Sequence, residues 1–278
     1  MIMRQALQPV RLAYHWLRDH AHYASRPGFR SERVVRGVFD SAVVAERLQA
    51  DGVCIVERYL DGERLIAIQR AADAILSGRP EGAPGKRDCD HLDLPHHPIF
   101  ANVLLDEFVI AVFEAYYGRD LCLAHTKLQR LDPTTPYEDR NFRWHHDTKG
   151  KYVKAMWLLT DQPPDGQRMS FIKGSHRPWR PPGTYDESRF TDGDARHIGQ
   201  VVECAGPAGS LVLFDTNGIH RGNRNAGPRR DVLVGVYTCG RYLSGYDFDP
   251  ESLPSLTPRQ HAVLERSRAA SPGYAYLD

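Results

Sequence analysis

The texture of the chain changes at Gly118. Before it, apolar residues recur mostly at helical spacing; after it, short runs rich in β-branched and aromatic residues cover 121–131, 152–160, 169–172, 200–204, 210–215 and 231–238. Gly, Pro and Asp separate these runs, and those residues open turns rather than continue a ladder. A succession of short strands can bury its apolar faces only by closing on itself or on a second sheet. The expected class is therefore mainly β, a sandwich or barrel, with the earlier helices packed along its outside.

With 278 residues, a single domain would bury roughly 75% of its unfolded surface, and no repeat or linker divides the chain. One domain over 1–278 is expected, with a helical part at about 1–118, a β core at about 119–240 and a tail from 241. An amphipathic helix is read over 6–16. Asp40 or Ser41 can cap a helix ending near Gly52, 53–56 reads as a buried strand, and Asp61 opens a helix that Gly78 and Pro80 end. Residues 79–98 look like a loop, 99–117 return to a helical pattern, and Thr257-Pro258 reads as a cap and first turn in the tail.

Lys and Arg number 36 against 35 Asp and Glu, a net charge of +1, so neither nucleic acid nor an anionic membrane is an expected partner. Five scattered cysteines without a C-x-x-C pair argue against a disulfide framework and a zinc ribbon, and fit a reducing, cytoplasmic setting. Charged Arg4, Arg11, Arg18 and Asp19 interrupt the first residues, which do not read as a signal peptide. A small-molecule substrate and a monomer or homodimer are expected.

The chemistry concentrates in Trp144-His145-His146-Asp147, ahead of one strand, and Ile219-His220, after another. On extended chain the side chains of His145 and Asp147 point to one face, so both can reach one ion. His220 is placed to supply a third ligand. Two imidazoles and a carboxylate on one face leave open coordination positions, the arrangement used by non-haem Fe(II) oxygenases. Ten residues on, Arg229 and Arg230 open a strand, and a guanidinium there could take the far carboxylate of a keto-diacid that chelates the iron. Arg230 shares a face with Val232, Val234 and Val236 and is preferred; Arg229 is the alternative.

The order Trp144-His145-His146-Asp147, Met156-Trp157-Leu158-Leu159, Gly174-Ser175-His176-Arg177, Gly209-Ser210-Leu211-Val212-Leu213-Phe214-Asp215, His220 and Arg230 resembles the phytanoyl-CoA dioxygenase family. The resemblance implies a double-stranded β-helix (jelly-roll, cupin-like) core, Fe(II), 2-oxoglutarate and O2, and hydroxylation of an unactivated C–H bond with release of succinate and carbon dioxide. It also places Lys127 and Trp157 beside 2-oxoglutarate and puts His146 where many members have Gln. Lys173 stands where the family commonly has Pro. Asp147 disfavours the halogenating branch, whose members lack that carboxylate.

Other readings attach to the same residues. A cupin-like zinc or other metal hydrolase or isomerase could use the same His/Asp/His set, with a general base beside bound water. Trp157 could be plain core. Lys127, flanked by leucines, must face solvent or meet an anion. His176 is expected to hold its loop by a hydrogen bond, and His91, His96 and His97 to be structural or substrate-facing. The 177–197 segment reads as a solvated loop from which Arg177 and Arg180 could reach an anionic substrate, and 79–98, 132–143 and 177–197 are candidate pocket walls.

Overall fold

The runs that follow Gly118 pair antiparallel into two facing sheets in a computed structural model of the chain, which describes residues 24–82, 85–90, 97–132, 140–147, 152–180, 189–223, 227–239 and 255–268, with Leu253 and isolated positions before residue 24. The larger sheet has six strands in the order β3 (Val53–Val56), β11 (Leu211–Asp215), β7 (Val153–Leu158), β13 (Arg230–Cys239), β5 (Leu121–Leu131) and β4 (Lys86–Asp90). The smaller has five: β10 (Val201–Cys204), β8 (Arg168–Ile172), β12 (His220–Asn223), β6 (Trp144–His145) and β9 (Arg189–Phe190). A hairpin of β1 (Val35–Arg36) and β2 (Phe39–Asp40) precedes them. This is the jelly-roll class.

Period-two alternation divides the side chains of the larger sheet. Val53, Met156, Leu158, Val212, Phe214 and Val232 face inward and pack with Met169, Phe171 and Cys204 of the smaller sheet. Ala155, Trp157, Leu211, Leu213, Leu233 and Tyr237 face outward onto the helices and form the larger core with them. Each fully buried side chain of this size contributes roughly 1.5–3 kcal/mol of transfer free energy.

The helices form as their ends dictate. Asp40 caps α1 (Ser41–Asp51) by accepting the Ala42 N–H, and Gly52 closes it at φ 79°, a left-handed conformation that favours glycine. Asp61 opens α2 (Gly62–Ser77) and Gly78 ends it, as the sequence indicates. A short α3 (Pro98–Leu104) leads into α4 (Glu107–Tyr117), capped by Asp106 through the Phe108 N–H. Nearly every residue of α4 is buried, because it lies between the larger sheet and α1. The tail contributes α6 (Pro258–Arg268), which lies against β5, after the α5 (Asp192–Ile198) described below.

Three segments depart from expectation. The 79–98 loop contains β4, whose sequence Lys-Arg-Asp-Cys-Asp has no strand signature and pairs only because it lies at the sheet edge, beside β5. The 177–197 segment contains β9 and the helix α5, closed by a reciprocal Thr191–Asp194 capping box. The part before Gly118, expected to be helical with one strand, therefore gives both edge strands of the larger sheet. The 6–16 helix falls mostly outside the described residues, with Val10, Ala13, Tyr14 and Trp16 described as helical and exposed, and 91–96 and 133–139 fall wholly outside them. All five cysteines are buried free thiols. Among the described residues no helix is long and apolar enough to cross a membrane.

Candidate metal centre

His145, Asp147 and His220 converge. Their nearest ligand atoms all lie within 4.8 Å of one another, the one such His/Cys/Asp/Glu group among the described residues. His145 and His220 are directly cross-strand between β6 and β12, which brings their ring centroids to 4.4 Å. Asp147 follows β6 by two residues, and its Oδ1 lies 3.9 Å from Nε2 of each histidine. His220 therefore opens a strand rather than sitting in the loop after β11.

The imidazoles are oriented by backbone carbonyls. His145 Nδ1 lies 2.8 Å from the Arg143 carbonyl and His220 Nδ1 lies 2.9 Å from that of Gly218. A carbonyl only accepts, so each Nδ1 carries the proton and each Nε2 lone pair faces the shared point. Burial pushes the pKa of both rings down, as does the second imidazole for His145, and keeps them neutral. Burial would push the Asp147 carboxyl up, but the Lys154 ammonium at 2.7 Å from Oδ2, together with the two histidines, outweighs it and holds the group below the usual carboxylate range. Two neutral imidazoles and a carboxylate fit a divalent cation with positions left for other ligands.

Arg230 and Arg229 separate cleanly. Arg229 turns outward, half exposed, toward Asp73 and Asp231. Arg230 turns inward and is buried, its guanidinium meeting Gln162 Oε1 at 3.2 Å, Gln129 Oε1 at 3.3 Å and Met156 Sδ at 3.2 Å. All three partners are neutral, and no carboxylate pairs with Arg230 among the described residues. Burial without a counter-charge lowers its pKa to about 10. A cation kept in that state is a ready site for an anion.

Lys127 shares the inward face with Arg230 but lies between Asp88 and Asp90 of β4, at 3.4 and 3.3 Å. It meets an anion, as its leucine-flanked setting requires, and the anions are the chain's own. His146 points away from the His145–Asp147 face; its ring lies 6.2 Å from that of Phe190, and burial lowers its pKa. Trp157, expected beside the cosubstrate, faces the other way: it is cross-strand from Leu233 and Leu211, has no exposed surface, and belongs to the helix-facing core. The strand alternation that turns Met156 inward turns Trp157 outward.

Arg177 and Arg180 bond to backbone carbonyls, Ala50 for the first and Ser175 and Asn217 for the second, and so brace loops. His176 Nε2 lies 3.1 Å from the Gln49 carbonyl and its ring covers Gly52, where any Cβ would collide with it. His97 precedes α3, 6.0 Å from the Phe100 ring and apart from the metal group; His91 and His96 lie outside the described residues. Sequence reasoning missed Lys154, Gln129 and Gln162. Lys154 alternates with Met156 and Leu158, so a charge on an apolar strand face was the available signal. Gln162, in an isolated bridge to Gly206, gave none.

Comparison with known proteins agrees with this fold. The phytanoyl-CoA dioxygenase (PhyH) family matches residues 48–231. The chain is 23% identical over 236 residues to ectoine dioxygenase of Stutzerimonas stutzeri (strain A1501), covering 71% of this chain and 76% of that one. Among solved structures, EctD from S. alaskensis with bound Fe aligns with a TM-score of 0.58 at 19% identity, over 78% of this chain and 83% of that one. HygX from Streptomyces hygroscopicus, with nickel and 2-oxoglutarate bound, aligns with a TM-score of 0.56 at 18% identity, over 81% and 95%. The fold and the donor set define a 2-oxoglutarate-dependent non-haem iron dioxygenase. The chain belongs to the phytanoyl-CoA dioxygenase family.

Proposed function

We propose that the chain hydroxylates an unactivated C–H bond of a small molecule, with His145, Asp147 and His220 holding Fe(II) and Arg230 pairing with the far carboxylate of 2-oxoglutarate. Fe(II), 2-oxoglutarate and O2 together supply the oxidising chemistry, with succinate and carbon dioxide as co-products. The observation that carries the reading is a pair of features on the same inner space: three ligand atoms within 4.8 Å, and a buried guanidinium with only neutral partners among the described residues.

Each nearby residue has a definite part. The Arg143 and Gly218 carbonyls hold the histidines in the tautomer that presents Nε2. Lys154 neutralises the outer oxygen of Asp147 and leaves Oδ1 toward the histidines. Met156, Val212, Phe214 and Phe171 make the space between the sheets apolar, so water is excluded and the Arg230 charge is little screened. Lys127, on the same face, is already neutralised by Asp88 and Asp90, and His146 turns toward Phe190. Trp157 takes no part. A small-molecule substrate accords with the ectoine dioxygenase similarity.

The test is succinate release over a panel of lipid thioesters, amino acids and secondary-metabolite scaffolds, with anaerobic visible absorption of the Fe(II)–2-oxoglutarate form. One substrate class should stimulate succinate formation, and Asp147→Ala should abolish both the stimulation and the absorption band while the protein stays folded. Hydroxylation that persists in Asp147→Ala would refute the ligand set.

A further inference from the structure

The turn between β11 and β12 serves two of the three ligands at once. The Thr216 carbonyl accepts the backbone N–H of Asp147 at 2.9 Å, and the Gly218 carbonyl accepts Nδ1–H of His220 at 2.9 Å. Two residues apart, these carbonyls fix the position of the carboxylate ligand and the ring plane of the imidazole ligand. A small rotation of this turn would move both.

Asp215 holds the turn. Its Oδ1 accepts the Asn217 N–H at 2.8 Å, its backbone carbonyl accepts the Gly218 N–H at 3.0 Å, and its Oδ2 accepts the phenol hydroxyl of Tyr116 at 2.5 Å. Asp215 has no exposed surface and ends the helix-facing side of β11, after Leu211 and Leu213. A carboxylate on that apolar face is costly unless fully hydrogen-bonded, and an apolar residue would serve packing better. Tyr116, near the end of α4, meets that requirement from the helical layer. Gly218 lets the turn lie close against the smaller sheet, since a Cβ there would sit 2.1 Å from the Phe171 ring.

We infer that Asp215 and Tyr116 are positioning residues for the metal centre, acting through the Thr216 and Gly218 carbonyls on Asp147 and His220. The inference rests on the metal-site reading above and concerns neither substrate nor cosubstrate. Groups hydrogen-bonded directly to metal ligands typically alter metal affinity by about 10–100-fold, and these two residues act one bond further out, at the lower end of that range.

Co(II) binding to the metal-free full chain tests it, by calorimetry and by the visible absorption of the bound ion, which reports ligand geometry. Tyr116→Phe and Asp215→Asn should each weaken Co(II) binding by about tenfold and change the visible spectrum. Tyr59→Phe is the matched control: it removes a buried tyrosine–aspartate bond of the same 2.5 Å length, to Asp106 at the other end of α4. That control should lower Tm while binding Co(II) like the wild type. Wild-type affinity and spectrum in Asp215→Asn would overturn the inference, and so would an equal loss of affinity in Tyr59→Phe. Wild-type protein that binds no Co(II), or binding that survives Asp147→Ala, would instead overturn the metal site itself and remove what the two residues are said to position.

Discussion

Arg229 and Arg230 are neighbours in sequence and opposites in environment. The first has two carboxylate neighbours in half-exposed surroundings, where an ion pair contributes at most about 1 kcal/mol. The second is buried among two amides and a thioether, none of which can neutralise it. A hydrogen bond to a charged group contributes about 1.5–3 kcal/mol, and about 1.4 kcal/mol is tenfold in affinity. Arg230→Ala should therefore raise KM for 2-oxoglutarate by roughly 10–100-fold, while Arg229→Ala should leave it near the wild-type value. Steady-state succinate assays on both variants measure the difference, and a larger effect at Arg229 would move the anchor by one position.

At the scale of the element, β5 carries the instructive irregularity. Val236 pairs with His125 but Tyr237 pairs with Leu123, so the ladder holds a bulge at Ala124. Leu121 and Leu123 face the helices; without the extra residue, strict alternation would turn His125, Lys127 and Gln129 to that same apolar side. The bulge sends them inward, where Gln129 reaches Arg230 and Lys127 meets β4. The straight strand β7 has no such correction and sends Trp157 outward. Its indole Nε1 has no hydrogen-bond partner among the described residues, so Trp157→Phe costs packing alone. That variant should lose about 1–3 kcal/mol of stability with KM for 2-oxoglutarate unchanged, measured by thermal melts and succinate kinetics. A raised KM would return the indole to the cosubstrate site.

Across the whole molecule, the metal-free protein holds His145, His146 and His220 neutral by burial, below the ordinary imidazole value of 6.5. In that window the unfolded chain binds more protons than the folded one, so stability rises with pH and is lost on acidification. Each such group contributes a slope of up to about 1.4 kcal/mol per pH unit. The metal-free chain should therefore show a falling Tm from pH 6.5 downward, and His145→Gln with His220→Gln should flatten that fall. A profile flat between neutrality and pH 5 would contradict buried neutral imidazoles.

Much of this was legible in the chain. The change at Gly118, the six strand runs, the Asp40 cap, the helix start at Asp61 and the His-x-Asp pair follow from local rules, because alternation, turn residues and capping act over a few residues. The choice of Arg230 over Arg229 also followed from alternation along one strand. Other features depended on partners distant in sequence. The charged strand β4 exists only because β5 offers it an edge, Lys127 is paired because β4 lies beside it, and Trp157 faces the helices because the larger sheet has a covered side. The sequence by itself determined which residue types could make a metal centre and in what order they come. Only the tertiary structure decided which face each residue presents and which carbonyl holds each ligand, since both depend on register and bulges between strands that lie far apart along the chain.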